Sequence, residues 1–268
     1  MAIGDGISSS PVNAIYLYCV VKAARKPSTV RLPQGLPDAT RPEILALARS
    51  LWLVIAQVPL DVYGAGHLEE RLADIDWVGR IALAHEAVVE HFARRRELTV
   101  VPMKLFTLFS TRERALADVT GRQAEIASVM RRISGAQEWG VRVTHRAEAS
   151  TVASPTRRAA TGAAFLEAKK QARDSAKHAK AAAADCAAAA YRRLSRLAKE
   201  SRVREDAPAS ATTPPLLDAA FLVPAAKRAK FTQAARREAA QCAKAGAQVT
   251  LSGPWPAYNF VTGGDPRS

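Results

Sequence analysis

One long alanine-rich stretch constrains the fold of this chain more than any other feature. Between residues 160 and 202, apolar or small side chains recur mostly at steps of four and three, after a first step of seven: Phe165, Ala172, Ala176, Ala179, Ala183, Cys186, Ala190, Leu194 and Leu197. This spacing predicts a helix whose seam packs closely against a second helix. At 1.5 Å per residue such a helix reaches on the order of 60 Å, so it either breaks or protrudes from its domain.

The first half of the chain carries three strand patterns with helical patterns between them. Runs rich in aromatic and β-branched residues predict strands at residues 14–21, 51–58 and 98–109, the last interrupted by Pro102. The first two strands suit a hairpin-like pairing across the proline-rich loop at 26–42. Apolar steps of three and four from His67 to Phe92 predict one or two helices that cover the sheet. A further helix, capped by Ser110 or Thr111, is expected to run to Ile133.

The second half alternates strands with long helices. Gly135 ends the preceding helix, and residues 138–145 alternate apolar and polar side chains as a half-exposed strand does. The remaining predicted segments are a polar linker at 147–158, the long helix, a loop at 206–215, a strand at 219–223, a basic helix at 225–245 and a strand at 248–252.

These patterns predict an α+β protein of two domains. Each domain is expected to be a variant ferredoxin-like sheet with helices packed on it, the second with the long alanine-rich helix. The predicted boundaries are a flexible N-terminus at 1–13, an N-terminal domain at 14–134, a C-terminal domain at 135–260 and a flexible tail at 261–268.

The charge balance suggests an acidic partner. The formal net charge is +14, which suits nucleic acid, anionic lipid or an acidic protein surface. The basic clusters are Arg94-Arg95-Arg96, Arg157-Arg158, Arg192-Arg193 with Arg196 and Lys199, and Lys227-Arg228 with Lys230. They are spread over several helices, and no zinc finger, RNP aromatic pattern or KH loop accompanies them. Solvated faces are therefore favoured over a nucleic-acid-binding module, which stays the alternative function, and docking on an acidic protein assembly is a third interpretation.

The cysteines and apolar runs predict a cytoplasmic protein with no membrane partner. Cys19, Cys186 and Cys242 are odd in number and far apart in sequence, so they are expected to be reduced, packed thiols. Residues 1–12 lack the basic start and apolar run of a secretory signal. The longest apolar runs, 15–21 and 51–58, are too short to cross a bilayer as helices.

No motif indicates catalysis, a cofactor or a metal site, and the chain is predicted not to be an enzyme. Phosphate-binding, dinucleotide-binding and nucleophile-elbow glycine patterns are absent from the sequence. His85-Glu86 lacks the second histidine that a helical zinc site needs, since position 89 is Val89, so His85 is expected to be partly packed or to face solvent. The carboxylate pairs, Asp74 with Asp76 and Glu69 with Glu70, lie in strongly charged helix starts where solvation is favoured over general acid and base work.

The closing segment is held by two prolines that flank Trp255. Pro254 and Pro256 force the residues before them into extended conformations, which fixes the directions of Trp255, Tyr258 and Phe260. These aromatics either form a lid over the core or present an anchor to a partner, and burial of large aromatics favours the lid. The predicted partner-binding residues are Trp255, Tyr258, Phe260, Arg192, Arg193 and Arg196.

Several segments, in their order and spacing, resemble the GvpL/GvpF family of gas vesicle accessory proteins. The resemblance covers nearly the whole chain from Ala14 to Phe260. It is carried by residues 16–18, 54–59, 84–89, 99–109, 138–141, 162–166, 219–223 and 251–260.

The resemblance implies a non-enzymatic assembly factor that binds the small shell protein GvpA and other vesicle accessory proteins. It implies a cytoplasmic location at forming gas vesicles and two α+β domains, both variants of the ferredoxin-like fold. The chain departs from the family pattern at residues 104–106, where an arginine, an aromatic and a glycine are usual. Phe106 is the largest departure, because glycine tolerates backbone geometry that phenylalanine does not.

Overall fold

The computed structural model describes residues 13–146, 162–204 and 214–261. These residues divide into two compact units, one of residues 13–135 with 255–261 and the other of residues 136–254. The sequence places residues 255–260 with the second domain, whereas in the structure they belong with the first unit. The predicted linker at 147–158, most of the loop at 206–215 and nearly all of both predicted flexible ends lie outside the described residues.

The first unit is built on an antiparallel sheet whose central strand is β1 (Asn13–Lys22). The other elements are β2 (Glu43–Ala48), β3 (Leu51–Pro59), α1 (Leu60–Tyr63), α2 (Ala65–Leu72), α3 (Ile75–Ala93), β4 (Thr99–Pro102), β5 (Leu108–Phe109), α4 (Arg112–Gly121) and α5 (Gln123–Ile133). The strand order is β2-β3-β1-β4, and β5 also pairs with β1. Because β1 has neighbours on both sides, its residues 14–21 are all buried.

The pairing of the two predicted N-terminal strands is confirmed. Strands β1 and β3 run antiparallel, with Ile15 opposite Gln57 and Lys22 opposite Leu51. The intervening strand β2 was not predicted, because it lies at the sheet edge and buries only Ile44. A strand with one buried side chain leaves a faint apolar pattern.

Two helices of the first unit, α3 and α4, begin at residues whose side chains cap them. The Asp74 carboxylate accepts hydrogen bonds from the backbone N–H groups of Asp76 and Trp77, both at 3.0 Å, at the start of α3. The Thr111 hydroxyl accepts one from the Arg114 N–H at 3.2 Å, as predicted for α4. The expected single helix to Ile133 is instead two helices, because α4 ends at Gly121, a poor helix former.

The second unit has a four-stranded sheet in the order β7-β8-β6-β9. Its elements are β6 (Ala136–His145), α6 (Gly162–Ser195), β7 (Glu200–Val203), β8 (Leu217–Pro224), a 3-10 turn (Ala225–Lys227), α7 (Arg228–Lys244) and β9 (Ala247–Trp255). The predicted α+β class is confirmed for both units. The assignment of each sheet to the ferredoxin-like plan stays a prediction.

The predicted alanine seam is buried only along the C-terminal part of α6. Ala183, Ala187, Ala190 and Leu194 pack in a core that also contains Phe221 and Phe231. The helix ends at Ser195, whereas the sequence predicts that it continues to Arg202. The prediction was wrong at this end because residues 200–203 pair with β8 as an edge strand.

Two of the three cysteines form a disulfide, which corrects the expectation of reduced thiols. Cys186 of α6 and Cys242 of α7 are joined, with their Cα atoms 5.6 Å apart, although 56 residues separate them in sequence. Side-by-side packing of the two helices brings the sulfurs together, and linear spacing does not reveal such packing. Cys19 is a free, buried thiol.

Candidate functional site

The closing segment packs on the first unit through some of its aromatics and exposes another. Phe260 is fully buried, and its carbonyl oxygen accepts a hydrogen bond from the Arg132 guanidinium at the end of α5. A 3-10 turn (Tyr258–Phe260) forms, in which the Phe260 N–H donates to the Ala257 oxygen at 3.0 Å. Trp255, in contrast, is 42% exposed. Phe260 and the half-buried Tyr258 therefore cover the core, and Trp255 does not.

One aromatic of this segment, Tyr258, joins a group of polar aromatic side chains from β1 and α3. We name this group the His85 cluster: Tyr16, Tyr18, His85 and Tyr258. The Tyr16 hydroxyl oxygen lies 2.8 Å from His85 Nδ1. The Tyr18 ring stacks on the imidazole at a centroid distance of 5.6 Å, and the Tyr258 ring lies 6.2 Å away. His85 is only 2% exposed. The expectation that His85 is partly packed or faces solvent understates its burial.

Burial keeps every member of the His85 cluster uncharged at neutral pH. Desolvation lowers the pKa of His85 to about 4. Desolvation raises the pKa of Tyr18 to about 12, and it raises the pKa values of Tyr16 and Tyr258 still further. The neighbouring Glu86 adds to the rise in the pKa of Tyr258. Groups in these protonation states are poorly matched to proton transfer near pH 7.

The loop between β4 and β5 closes over the same cluster. The Met103 N–H donates to the backbone carbonyl oxygen of Tyr18 at 2.9 Å, and the Leu17 N–H donates to the backbone carbonyl oxygen of Thr107 at 3.0 Å. Between these two bonds the chain leaves the sheet, and the Phe106 N–H donates to the Tyr16 hydroxyl at 3.4 Å. Phe106 has a φ of 62°. The departure from a usual glycine therefore falls at a left-handed backbone position that glycine favours.

Two of the three predicted arginines, Arg192 and Arg193, lie in the last turn of α6, and Arg196 directly follows the helix. Arg193 donates to Glu238 Oε2 at 2.8 Å and to Gln241 Oε1 at 2.9 Å, both on α7. Arg192 and Arg196 are exposed. Arg193 thus links two helices of its own unit, and Arg192 and Arg196 have side chains that a partner could reach.

One charged group that sequence reasoning missed is Asp218. Its buried carboxylate accepts hydrogen bonds from Arg142 Nη2 at 2.6 Å and from Arg204 Nε at 2.8 Å. Arg142 lies directly opposite Asp218 across strands β6 and β8. Two guanidinium groups satisfy the buried carboxylate, which makes this a structural ion-pair network.

Within residues 13–146, 162–204 and 214–261, no three His, Cys, Asp or Glu side chains converge as metal ligands would. Over the same ranges no helix is both long enough and apolar enough to cross a membrane.

The fold and the packed aromatic segment define a class: an α+β protein of two units in which the closing aromatic segment belongs to the first unit. Residues 14–262 match the family described as gas vesicle synthesis protein GvpL/GvpF. The chain belongs to this family, which confirms the resemblance drawn from the sequence motifs. The family is not a known enzyme family.

Individual relatives agree with this assignment. Gas vesicle protein L of Streptomyces sp. (strain CB03234) is 28% identical over 254 residues, which span 90% of this chain and 91% of that protein. The crystal structure of GvpF from Anabaena sp. PCC7120 has a TM-score of 0.65 at 16% identity, covering 94% of this chain and 97% of its own. GvpF from Microcystis aeruginosa has a TM-score of 0.61 at 14% identity, covering 93% and 99%. These structures show that the fold is shared.

Proposed function

We propose that this protein is a non-enzymatic accessory factor in gas vesicle assembly. In this proposal it acts in the cytoplasm at forming vesicles and binds the small shell protein GvpA and other vesicle accessory proteins. The observation that carries the proposal is the match of residues 14–262 to a family of gas vesicle synthesis proteins. The relative named gas vesicle protein L, matched over 91% of its length, supports the same conclusion.

Trp255 is the contact residue that the packing supports best. The residues around it are fixed, because Pro256, Ala257 and Phe260 are buried in the first unit. A half-exposed tryptophan on a fixed backbone loses little conformational freedom when it binds. Tryptophan is also among the residue types enriched at interface hot spots. In this proposal Tyr258 and Phe260 hold the segment, and Trp255 touches the partner.

The arginines exposed at the end of α6 add a second contact. Arg192 and Arg196 have accessible side chains, whereas Arg193 is bonded to α7. Arginine is enriched at interfaces because its guanidinium group binds carboxylates in a fixed geometry. The chain's net charge of +14 favours an acidic partner.

The direct test begins with deletion of the gene in a host that makes gas vesicles. Electron microscopy should show vesicles that are lost, fewer or malformed, and the wild-type gene should restore them. Normal vesicles in the deletion strain would refute the proposal.

Binding to purified GvpA tests the contact residue separately. We expect Trp255→Ala to weaken binding about tenfold or more, as a hot-spot residue does. The control is Leu83→Ala, which removes another exposed apolar side chain of the first unit, on α3. Equal effects of the two variants would show that Trp255 is not a specific contact.

A further inference from the structure

From residue 165 onward, the N-terminal half of α6 is exposed on every side of the helix. All side chains from residue 165 to residue 182 are exposed, and burial begins at Ala183. At 1.5 Å per residue, this exposed half extends about 27 Å. In the same unit the C-terminal half of the helix packs against α7 and the sheet. The helix thus continues well past the point where the described residues of its own unit cover it.

Positive charge predominates on one face of the exposed part of α6. At 100° per residue, its lysines and arginine fall within an arc of about 100°. We name this group the cationic stripe: Lys169, Lys170, Arg173, Lys177 and Lys180. The acidic residues, Glu167 and Asp174, lie along one edge of the stripe, three or four residues from Lys170. Asp174 is also three residues from Lys177.

A small-residue face lies next to the cationic stripe. Ala172, Ala176 and Ala179 continue, in the same helical register, the seam that is buried from Ala183 to Leu194. Further down the helix this seam packs closely against the second unit's own core. The exposed continuation offers the same close-packing surface without cover from the described residues.

Part of the cationic stripe consists of neighbouring like charges. Lys169, Arg173 and Lys177 are spaced four residues apart, and like charges at this spacing repel. Lys169, Arg173 and Lys180 have no acidic residue three or four positions away that would offset this repulsion. This predominance of positive charge favours an oppositely charged surface that covers the stripe.

We propose that residues 165–182 form a docking face for an acidic helix of a partner protein. Small or apolar side chains of the partner pack on Ala172, Ala176 and Ala179, and its carboxylates pair with the cationic stripe. The adjacent face of small residues favours a protein helix as the partner. Nucleic acid would bind through its phosphates to the cations alone and would leave this face unused. A second copy of this chain would bring like charges together. The inference rests on the proposed function to the extent that the partner is another vesicle protein.

Site-specific photo-crosslinking tests the proposal in cells that assemble gas vesicles. A photo-crosslinking amino acid replaces Ala176, or Ala243 of α7 as the positional control, and mass spectrometry maps the crosslinked peptide. We expect Ala176 to give a crosslink to a helical segment of net negative charge in another protein, and Ala243 to give none of that kind. The proposal fails if position 176 gives no crosslink, or if it crosslinks to nucleic acid, lipid, a second copy of this chain or a peptide without net negative charge.

Charge reversal completes the test. Lys169→Glu, Arg173→Glu and Lys177→Glu together should lower the crosslink yield about tenfold, since the interface would then join like charges. The matched control reverses exposed cations on α7: Lys230→Glu, Arg236→Glu and Arg237→Glu. Glutamine at the three α6 positions removes the positive charges without adding negative ones and should give an intermediate crosslink yield. This graded loss would distinguish a charge effect from misfolding of the charge-reversed variant. Equal losses in the two charge-reversed triple variants would overturn the docking face.

The two proposals can fail separately. If deletion of the gene leaves vesicles normal but the acidic crosslink persists, the docking face stands and the assembly role falls. If deletion abolishes vesicles and the crosslink is absent, the assembly role stands without this docking face.

Discussion

Phe106 combines an unfavourable backbone with a favourable side-chain contact. Its φ of 62° places an L-residue in the left-handed region, which costs roughly 1–2 kcal/mol relative to the right-handed one. Its ring stacks on Trp77 at a centroid distance of 5.7 Å and an interplanar angle of 9°. An aromatic pair of this kind contributes about 0.5–1.5 kcal/mol. The ring contact therefore offsets much of the backbone cost.

Substitution at Phe106 separates these two effects. Phe106→Ala and Phe106→Gly both remove the ring, but only glycine adopts the left-handed backbone conformation without a steric cost. We expect the glycine variant to be more stable than the alanine variant by about 1 kcal/mol. Urea unfolding of the two variants measures this difference. An alanine variant as stable as the glycine variant would show that the backbone at this position is not strained.

His85 gives the first unit a pH-dependent stability. The pKa of His85 is about 4 in the folded protein, against an ordinary value of 6.5. Between these two pH values the unfolded chain binds more protons than the folded protein. The contribution of His85 to the free energy of unfolding is therefore fully present above about pH 6.5 and is lost as the pH falls towards 4. The expected loss from this residue is up to about 3 kcal/mol. Denaturant unfolding at several pH values measures it.

A variant isolates this contribution from the other titrating groups. His85→Gln should be less stable than the wild type at pH 7, yet it should lose less stability on acidification to pH 4. The matched control is His67→Gln, which removes an exposed histidine outside the His85 cluster. If the stability of His85→Gln falls with pH as steeply as that of the control, His85 does not carry the effect.

At the scale of elements, the Cys186–Cys242 disulfide ties α6 to α7. It spans 56 residues of sequence, and closing a loop of that length is worth roughly 4 kcal/mol by chain entropy. Reduction should therefore lower the stability of the second unit by about 2–4 kcal/mol. Comparing unfolding with and without a reductant measures this change. The double variant Cys186→Ala, Cys242→Ala should not respond to the reductant, and a wild type that behaves in the same way would contradict the prediction.

Elements were predictable where burial leaves a strong pattern in the sequence. Strands β1 and β8 are buried along nearly their whole length, and both were predicted. Strand β7 was not predicted, because Glu200–Val203 has no fully buried side chain and directly follows the helical seam. The edge strand β2 was missed for a similar reason.

The site was less predictable than the fold, because its contacts join distant parts of the chain. Tyr16 and His85 are 69 residues apart in sequence, and Tyr258 reaches them from the far end. Sequence reasoning identified the closing aromatics as a unit, favoured the lid and carried the anchor as the alternative. In the structure Phe260 is buried and Trp255 is exposed. The contacts of Trp255, Arg192 and Arg196 with a partner stay predictions.

At the scale of the whole molecule, the second unit is inserted into the first along the chain. The chain leaves the first unit after Gly135 and returns to it at Trp255. The returning segment places Phe260 in the first unit's interior, where its oxygen meets Arg132. The stability of the first unit therefore depends on residues 255–261, which follow the entire second unit in the sequence.

The last prediction uses this dependence to separate anchoring from contact in the closing segment. Phe260→Ala should destabilise the first unit by about 3–5 kcal/mol, since it empties a fully buried aromatic site. Trp255→Ala removes a side chain that is 42% exposed and should change stability by only about 1 kcal/mol. Hydrogen exchange of amides in β1, with those in β8 as the internal control, measures the effect in each unit. Faster exchange in β1 with Phe260→Ala, together with weaker GvpA binding but near-normal exchange with Trp255→Ala, would assign the two roles. Faster exchange in β1 with Trp255→Ala would make that tryptophan part of the lid.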